Sequence, residues 1–478
     1  MKVESIRTRV APSPTGLPHI GTVFQALLDY IIAKQNKGTF VLRIEDTDQK
    51  RLDPQAEQAV YEALEWVNIQ PDESPKAGGA FGPYRQSERL LLYHKYAQQL
   101  VDQGAAYYCF CSAERLESVR NQMQKDGKPP MYDKLCRSIS PSEAKERAAA
   151  EPHVIRLKVP TQTQISVLDA VRGTIVFNSD DIDDQVLLKS DGFPTYHLAV
   201  VVDDHLMEIS HVVRGEEWLS SAPKHILLYD YFNWQKPVFF HTPTLRNPDK
   251  SKLSKRHGHT TVEWYRSEGI VPEALINFLL SIVWTHPDQS DIFSLQEAIE
   301  LFKFQSVHIT GPIVDLAKLR WINGQYIRAY SKNDFVNLAQ PFLPADFPKE
   351  KAASILPLIH ERLEQLNQIE SLTDFFYRPI VLDEKPLLQR STAEVVINQL
   401  TGTIDRLEAL PEWNLHQIED AIRSLQEKND WQRKQYFMLL RYSTTGKSAT
   451  PPLFETIEVL GKTLTIDRLI SARTLITS

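Results

Sequence analysis

The apolar and polar positions near the N-terminus fall into three successive patterns. Residues 5–11 read as a short strand, closed by the turn Pro12-Ser13-Pro14-Thr15-Gly16. From residue 22 to about 36, Ala26, Leu27, Tyr30, Ile31 and Ile32 recur at helical spacing and make a broad apolar face. Gly38 is placed to end that helix in a left-handed cap. Residues 39–44 form a second apolar strand and run into the acidic Glu45-Asp46-Thr47-Asp48. Strand, glycine-bearing turn, helix and strand predict a βαβ unit, the start of a doubly wound parallel sheet. Ligands of such sheets lie at the carboxyl ends of the strands, which puts the 12–22 turn and Glu45 at one site.

The pattern changes near Ala105. Residues 106–111 are aromatic and cysteine-rich, 112–125 are helical and charged, and 154–159 and 174–177 read as antiparallel strands. This stretch, roughly 95–195, is expected to be an insertion with a small α/β fold of its own. The sheet is expected to resume with strands at 198–202 and at Val212-Val213. From about Val262 the chain turns helical, with amphipathic segments at 352–369, 393–407 and 415–425.

Length and composition narrow the class. A chain of 478 residues needs more than one core. Apolar content of 42% and charged content of 24% are those of a globular protein. The longest apolar run, 274–284, is interrupted by Asn277 and Ser281 and is too short to span a bilayer. With a polar start and no leader-like segment, a cytoplasmic, non-membrane protein is expected. Three cysteines argue against a disulfide framework, and a net charge of −7 argues against a general nucleic-acid binder. Local basic patches on RNA remain compatible with that total.

The candidate chemistry is concentrated in a few places. His19 and Gly21 stand where a strand turns into a helix, and a helix N-terminus offers unpaired N–H groups and partial positive charge to phosphate. Lys252 and Lys255 bracket Ser254 in a turn-rich loop, from which both ammonium groups can reach one pyrophosphate as charge builds. Taken singly, the first is also an ordinary turn and the second a solvated basic loop. Glu45, Arg9 and Arg214 sit at strand ends, where a carboxylate can hold an amine and guanidinium forks can hold carboxylates; strand-end salt bridges are the plainer account. Cys109, Cys111 and Cys136, with Tyr132, suggest either a structural zinc site or buried reduced thiols. Residues 431–450 carry Arg433, Lys434, Arg441 and Lys447 without an acid, interleaved with Trp431, Tyr436, Phe437 and Tyr442. That mixture suits unstacked RNA bases, or a helix with one core face.

The segments Arg9-Val-Ala-Pro-Ser-Pro-Thr-Gly16, His19-Ile-Gly-Thr22, Arg43-Ile-Glu-Asp-Thr-Asp48, Pro194-Thr-Tyr196, Val213-Arg-Gly-Glu-Glu-Trp218 and Lys252-Leu-Ser-Lys-Arg256 together resemble the bacterial-type glutamyl-tRNA synthetases, collinearly along the chain. The resemblance implies a class I synthetase that activates L-glutamate with ATP and Mg2+ and transfers it to the terminal ribose of tRNA-Glu. It implies an ATP site at Ala11, Ser13, His19, Gly21, Glu217, Trp218, Leu253 and Lys255, with Lys252 and Lys255 serving the pyrophosphate. Glu45 would hold the glutamate amine, and Arg9, Tyr196 and Arg214 its carboxylates. Anticodon contacts would fall on Arg362 and Arg441, and an arginine at the first position goes with restriction to tRNA-Glu. Val200 stands where some relatives carry a polar asparagine, and Cys136-Arg137-Ser138 stands where some metal-binding relatives end in Cys-x-His. Tyr132 would then have to complete a Zn2+ shell with the three cysteines.

The implied architecture is multidomain α/β plus all-α. A Rossmann-like catalytic domain would take residues 1–95 and 196–258, an inserted acceptor-end domain 96–195, a stem-contact domain 259–330 and a helical anticodon-binding domain 331–478, in a monomer. The competing readings are a non-discriminating enzyme of the same kind and a non-catalytic tRNA-binding protein. A glutaminyl enzyme would end in β-barrels, a glutamyl-queuosine synthetase would lack the C-terminal region, and a small adenylyltransferase would leave the second half unexplained.

Overall fold

The two short apolar stretches flanking the first helix become parallel partners. β1 (Arg7–Val10) and β2 (Thr39–Leu42) run from Arg7 opposite Thr39 to Val10 opposite Leu42. The connecting helix α1 (Ile20–Gln35) buries Val23, Phe24, Leu27, Leu28, Ile31 and Ile32. The computed structural model describes residues 5–253, 258–389 and 391–477. The helix ends one residue before the expected place. Lys37, not Gly38, takes the left-handed conformation (φ 53°), while the Gly38 N–H donates to Ala33 O at 2.8 Å. Gly38 is needed for close approach instead, because a Cβ there would lie 2.1 Å from the carbonyl oxygen of Ile6.

Helices α2 (Ala56–Trp66) and α3 (Leu90–Asp102) lead into the insertion. It contains β3 (Ala106–Cys109), α4 (Ala113–Lys125), α5 (Pro141–Ala150), β4 (Val154–Leu157), the hairpin β5 (Gln164–Asp169) and β6 (Gly173–Asn178), and β7 (Val186–Leu188). β3, β4 and β7 form an antiparallel sheet of their own. The hairpin does not join them. β5 pairs in parallel with β9 (Val238–Thr242), Asp169 opposite Phe239, and β9 pairs in parallel with β8 (His211–Gly215). β8 in turn follows Ser210, whose N–H donates to Arg7 O at 3.0 Å and so lays β8 beside β1. The insertion therefore contributes two strands to the sheet that contains β8 and β9. Its core is also continuous with the rest, since Ile155, Leu157, Val167 and Leu187 cluster with Val41, Tyr93, Leu198 and Leu228.

Residues 198–202 correct the sequence reading. They belong to helix α6 (Tyr196–Leu206), not to a strand. Leu198, Ala199, Val200, Val201 and Val202 are all buried, and a short run buried on every side has no period by which to tell helix from strand. Helix α7 (Ala222–Phe232) connects β8 to β9.

The chain divides into two units, 1–266 with 272–316 and 267–271 with 317–478. The second is helical. Its core gathers Leu400, Leu407, Ile422, Tyr436, Leu440 and Leu469 from the helices Ala393–Glu408, Leu415–Lys428, Arg433–Thr445 and Lys462–Thr477. The helix expected over 352–369 is broken into Ala352–Ile359, a tight turn His360–Arg362, and Ile369–Thr373. The first helix continues through Pro357, and beyond its end Asn323 holds the chain by donating to Glu364 O at 2.7 Å and Gly269 O at 3.0 Å. Among the described residues, no helix is long and apolar enough to cross a membrane.

Candidate active site

His19 caps α1 from the extended conformation, and its Nδ1 accepts from the Gly21 N–H at 2.9 Å. In the neutral ring the proton then sits on Nε2. A Cβ on residue 21 would lie 3.0 Å from that same Nδ1, so glycine keeps the helix mouth open. The chain beyond the lysine loop closes onto this mouth. Ile20 N donates to Thr260 O at 2.7 Å, Val262 N donates to Pro18 O at 3.2 Å, and His19 bridges Thr261. Lys252 is exposed beside Leu253, whose N–H donates to Leu245 O at 3.2 Å. Lys255 lies outside the described residues.

One cavity of about 960 Å³ is lined by Arg9, Ala11, Ser13, His19, Gly21, Glu45, Tyr196, Arg214, Glu217, Trp218, Lys252 and Leu253. Every expected ATP and glutamate residue among the described ones thus meets in one place, and the volume is at the upper end for a small-ligand site. Val200 is buried in α6 and is not among the lining residues.

The charged wall is built on α6. Asp204 takes Arg9 Nε at 3.0 Å and Nη2 at 3.3 Å, and also Arg43 Nη1 at 2.8 Å. Arg9 Nη1 donates to Val213 O at 3.3 Å, so most of the fork expected for substrate is already engaged. Arg43 Nη2 donates to Glu45 at 3.2 Å. Burial pushes the Glu45 carboxyl up to about 7, against the pull of Arg43 and Arg9. Asp203, one residue before Asp204, serves Arg89 Nε at 2.7 Å and the Tyr93 hydroxyl at 2.8 Å.

Arg214 is held differently. Its Nε donates to His241 Nε2 at 3.0 Å, and its Nη1 donates to His225 Nδ1 at 3.0 Å and to the Tyr196 hydroxyl at 3.2 Å. Its Nη2 is buried without a hydrogen-bond partner among the described residues. No carboxylate among the described residues forms a salt bridge with it, so the cavity wall carries a buried cation matched to an anionic ligand. Trp218 lies against Tyr196 with ring centroids 4.4 Å apart, and Glu217 accepts from the Thr244 hydroxyl at 3.2 Å.

Residues 5–321 match the family model described as tRNA synthetases class I (E and Q), catalytic domain, and residues 334–473 match an anticodon binding domain. A glutamate–tRNA ligase of Stutzerimonas stutzeri is 44% identical over 98% of this chain and 95% of its own. One from Dehalococcoides mccartyi is 42% identical over 96% of this chain and 95% of its own. The chain belongs to the glutamate–tRNA ligase family. The crystal structure of a glutamate tRNA ligase from Elizabethkingia meningosepticum, in complex with its amino acid, is 35% identical with a TM-score of 0.91, covering 99% of this chain and 100% of that one. The class I fold, with mixed α/β sheets and a helical C-terminal anticodon domain, is that of the family.

Sequence reasoning missed Asp204, Arg43, His225 and His241. The signal for the first was a helical spacing, since Tyr196, Val200 and Asp204 recur at four-residue intervals along one face of α6. The histidines had no local signal, because their partner Arg214 is distant in sequence or on another element.

The cysteines gather as expected. Their sulfurs lie within 4.8 Å of one another, Cys111 and Cys136 at 3.6 Å. The Tyr132 hydroxyl is 3.4 Å from Cys109 Sγ and 3.5 Å from Cys111 Sγ. Arg115 donates to Cys111 Sγ at 3.4 Å, and the Arg156 guanidinium lies 4.1 Å over the Tyr132 ring.

In the helical unit, Arg362 is exposed on the His360–Arg362 turn and Arg441 is half-buried, donating to Thr450 O and Pro451 O. Burial and the like charge of Arg362 hold Arg441 below the usual guanidinium range, so the two cations feel each other. The aromatic residues around Arg441 are not the stacking platform that the sequence allowed. Tyr436 and Tyr442 are core residues, and Phe437 packs edge-on to Phe454.

Proposed function

We propose that this protein ligates L-glutamate to tRNA in two steps. The α-carboxylate of glutamate attacks the α-phosphorus of ATP, which enters with its Mg2+, and pyrophosphate leaves. The terminal ribose hydroxyl of the tRNA then attacks the glutamyl carbonyl, and AMP leaves. The observation that carries this reading is the shared cavity: a helix mouth and Lys252, suited to phosphates, line the same space as Arg214, a buried cation without a carboxylate partner. In the proposed roles, His19, Gly21, Ala11, Ser13, Trp218, Glu217 and Leu253 cradle ATP, and Lys252, with Lys255, meets the leaving pyrophosphate. Glu45 receives the substrate ammonium, while Arg214, with Tyr196 and what remains of Arg9, receives carboxylate. Interactions that strengthen as charge moves toward the leaving group raise turnover rather than ground-state affinity.

The assay is glutamate-dependent exchange of pyrophosphate into ATP with tRNA present, run beside transfer of labelled glutamate to tRNA. Activity with glutamate and little with glutamine is expected. Binding of tRNA with neither reaction would instead make the protein a non-catalytic tRNA binder.

Four finer readings go with this one. Residues 1–95 and 196–258 form the catalytic domain, 96–195 receive the acceptor end while lending the 164–178 hairpin to the catalytic sheet, 259–330 contact the stem, and 331–478 read the anticodon. Arg362 and Arg441 face the anticodon, and Arg362 restricts charging to tRNA-Glu. Cys109, Cys111, Cys136 and Tyr132 suit a structural Zn2+ ion, because three thiol sulfurs and a hydroxyl converge while Arg115 and Arg156 stand by to offset thiolate charge. The protein works as a cytoplasmic monomer, which size measurement in solution checks.

A further inference from the structure

Arg214 is held by a chain of groups whose proton positions its geometry fixes. A guanidinium has only donors. His241 Nε2 accepts from it, so the His241 proton sits on Nδ1 and is donated to Asp169 Oδ2 at 2.7 Å. Asp169 is itself fixed by the backbone N–H groups of Val171 at 3.0 Å, Arg172 at 2.8 Å and His241 at 2.9 Å. On the other side His225 Nδ1 accepts from Arg214, so the His225 proton sits on Nε2 and is donated to His197 Nδ1 at 3.1 Å. Asp169, Arg214, His225 and His241 are all buried. Burial and the adjacent Arg214 charge push His225 well below its ordinary range. Burial lowers His241 and takes His197 down to about 3. All three rings are therefore neutral, and each ring next to Arg214 presents a lone pair.

We propose that His241, locked by Asp169, and His225, backed by His197, are positioning residues of the glutamate subsite: they fix two nitrogens of Arg214 and so set how its guanidinium, part of the cavity lining, meets the substrate carboxylate. The inference rests on the assignment of Arg214 to glutamate made above. Neutral acceptors hold the fork without neutralising it, whereas a carboxylate in either place would compete with the substrate for the same charge. Asp169 is one atom group further out, where it sets the His241 tautomer.

The test is tRNA-dependent pyrophosphate exchange by the full-length protein, with KM measured separately for glutamate and ATP. His241→Phe and His225→Phe keep the ring shape and remove the acceptor. Each is expected to raise KM for glutamate roughly tenfold or more, the cost of one hydrogen bond to a charged group, with KM for ATP within about twofold. His241→Gln and His225→Asn replace the lost acceptor and are expected to recover part of the loss. Asp169→Asn reaches the same end without altering a ring, because it turns the protonated His241 nitrogen toward Arg214, and it decides the matter if a phenylalanine variant does not fold. An unchanged KM for glutamate in Asp169→Asn, or equal rises for glutamate and ATP across the folded variants, overturns the inference. Arg214→Gln separates the two levels. If it leaves KM for glutamate unchanged, the assignment of Arg214 fails; if it raises KM while the histidine and Asp169 variants do not, only the positioning role fails.

Discussion

Glu45 touches Arg43, yet its carboxyl is pushed up to about 7, because burial outweighs the attraction of the guanidiniums. Below that value the group is protonated and offers no charge to an ammonium; above it the carboxylate is available. The glutamate kcat/KM should therefore climb as pH is raised through about 7 and level off, and Glu45→Gln should abolish the climb and lower the plateau about 10- to 100-fold. A pH profile of the variant parallel to that of the parent would assign the titration elsewhere. Lys252 is exposed at the cavity, and its structural contacts are made by the backbone, whose carbonyl accepts from Asn247 Nδ2 at 3.4 Å. Lys252→Ala should lower turnover by about 100-fold while leaving the tRNA Kd within about twofold. Weaker tRNA binding with exchange intact would move Lys252 from the ATP site to the tRNA surface. At this scale the sequence was informative where separate motifs pointed to one place, since His19, Gly21 and Arg214 line the same cavity. It was silent on how far Arg9 is already engaged, because its partner Asp204 sits on a helix that reads as a strand.

Elements show the same division. β1, α1 and β2 were legible because their periods differ and a turn separates them. The α6 run was not, since burial on all sides erases periodicity, and the 352–369 segment was not, since a contact from the distant Asn323 interrupts a pattern that is continuous in sequence. The cysteine cluster joins the end of β3 to the turn Leu135–Ser138, packed with Tyr132 against Tyr107, Phe110 and Ile139. Protein purified without chelator should contain about one zinc per chain, and Cys136→Ser should both release it and lower the melting temperature. Metal content far below one per chain in the parent would leave the thiols as a reduced apolar cluster.

For the molecule as a whole, a net charge of −7 gives no general attraction to RNA, so the proposed contact with tRNA has to come from local cations, the role proposed above for Arg362 and Arg441. The resemblance put both of these at the anticodon, whereas periodicity alone gave no sign that they lie near each other, because residues 362 and 441 are separated by several helices. Arg362→Ala should raise charging of tRNA-Gln relative to tRNA-Glu and leave exchange activity intact; loss of exchange with the ratio unchanged would count against an anticodon role. The division into a mixed α/β part and a helical part was legible from period alone, but the β5–β6 hairpin was not, because it lies within one stretch of sequence and pairs with a strand in another. That pairing has a practical corollary for building chimeras. Residues 96–195 are not a cassette: trading them whole for a relative's counterpart also trades a sheet edge and Asp169. A graft that leaves 164–178 in the host keeps the native pairing of Asp169 with His241, and a graft that carries them asks a foreign acid to meet His241.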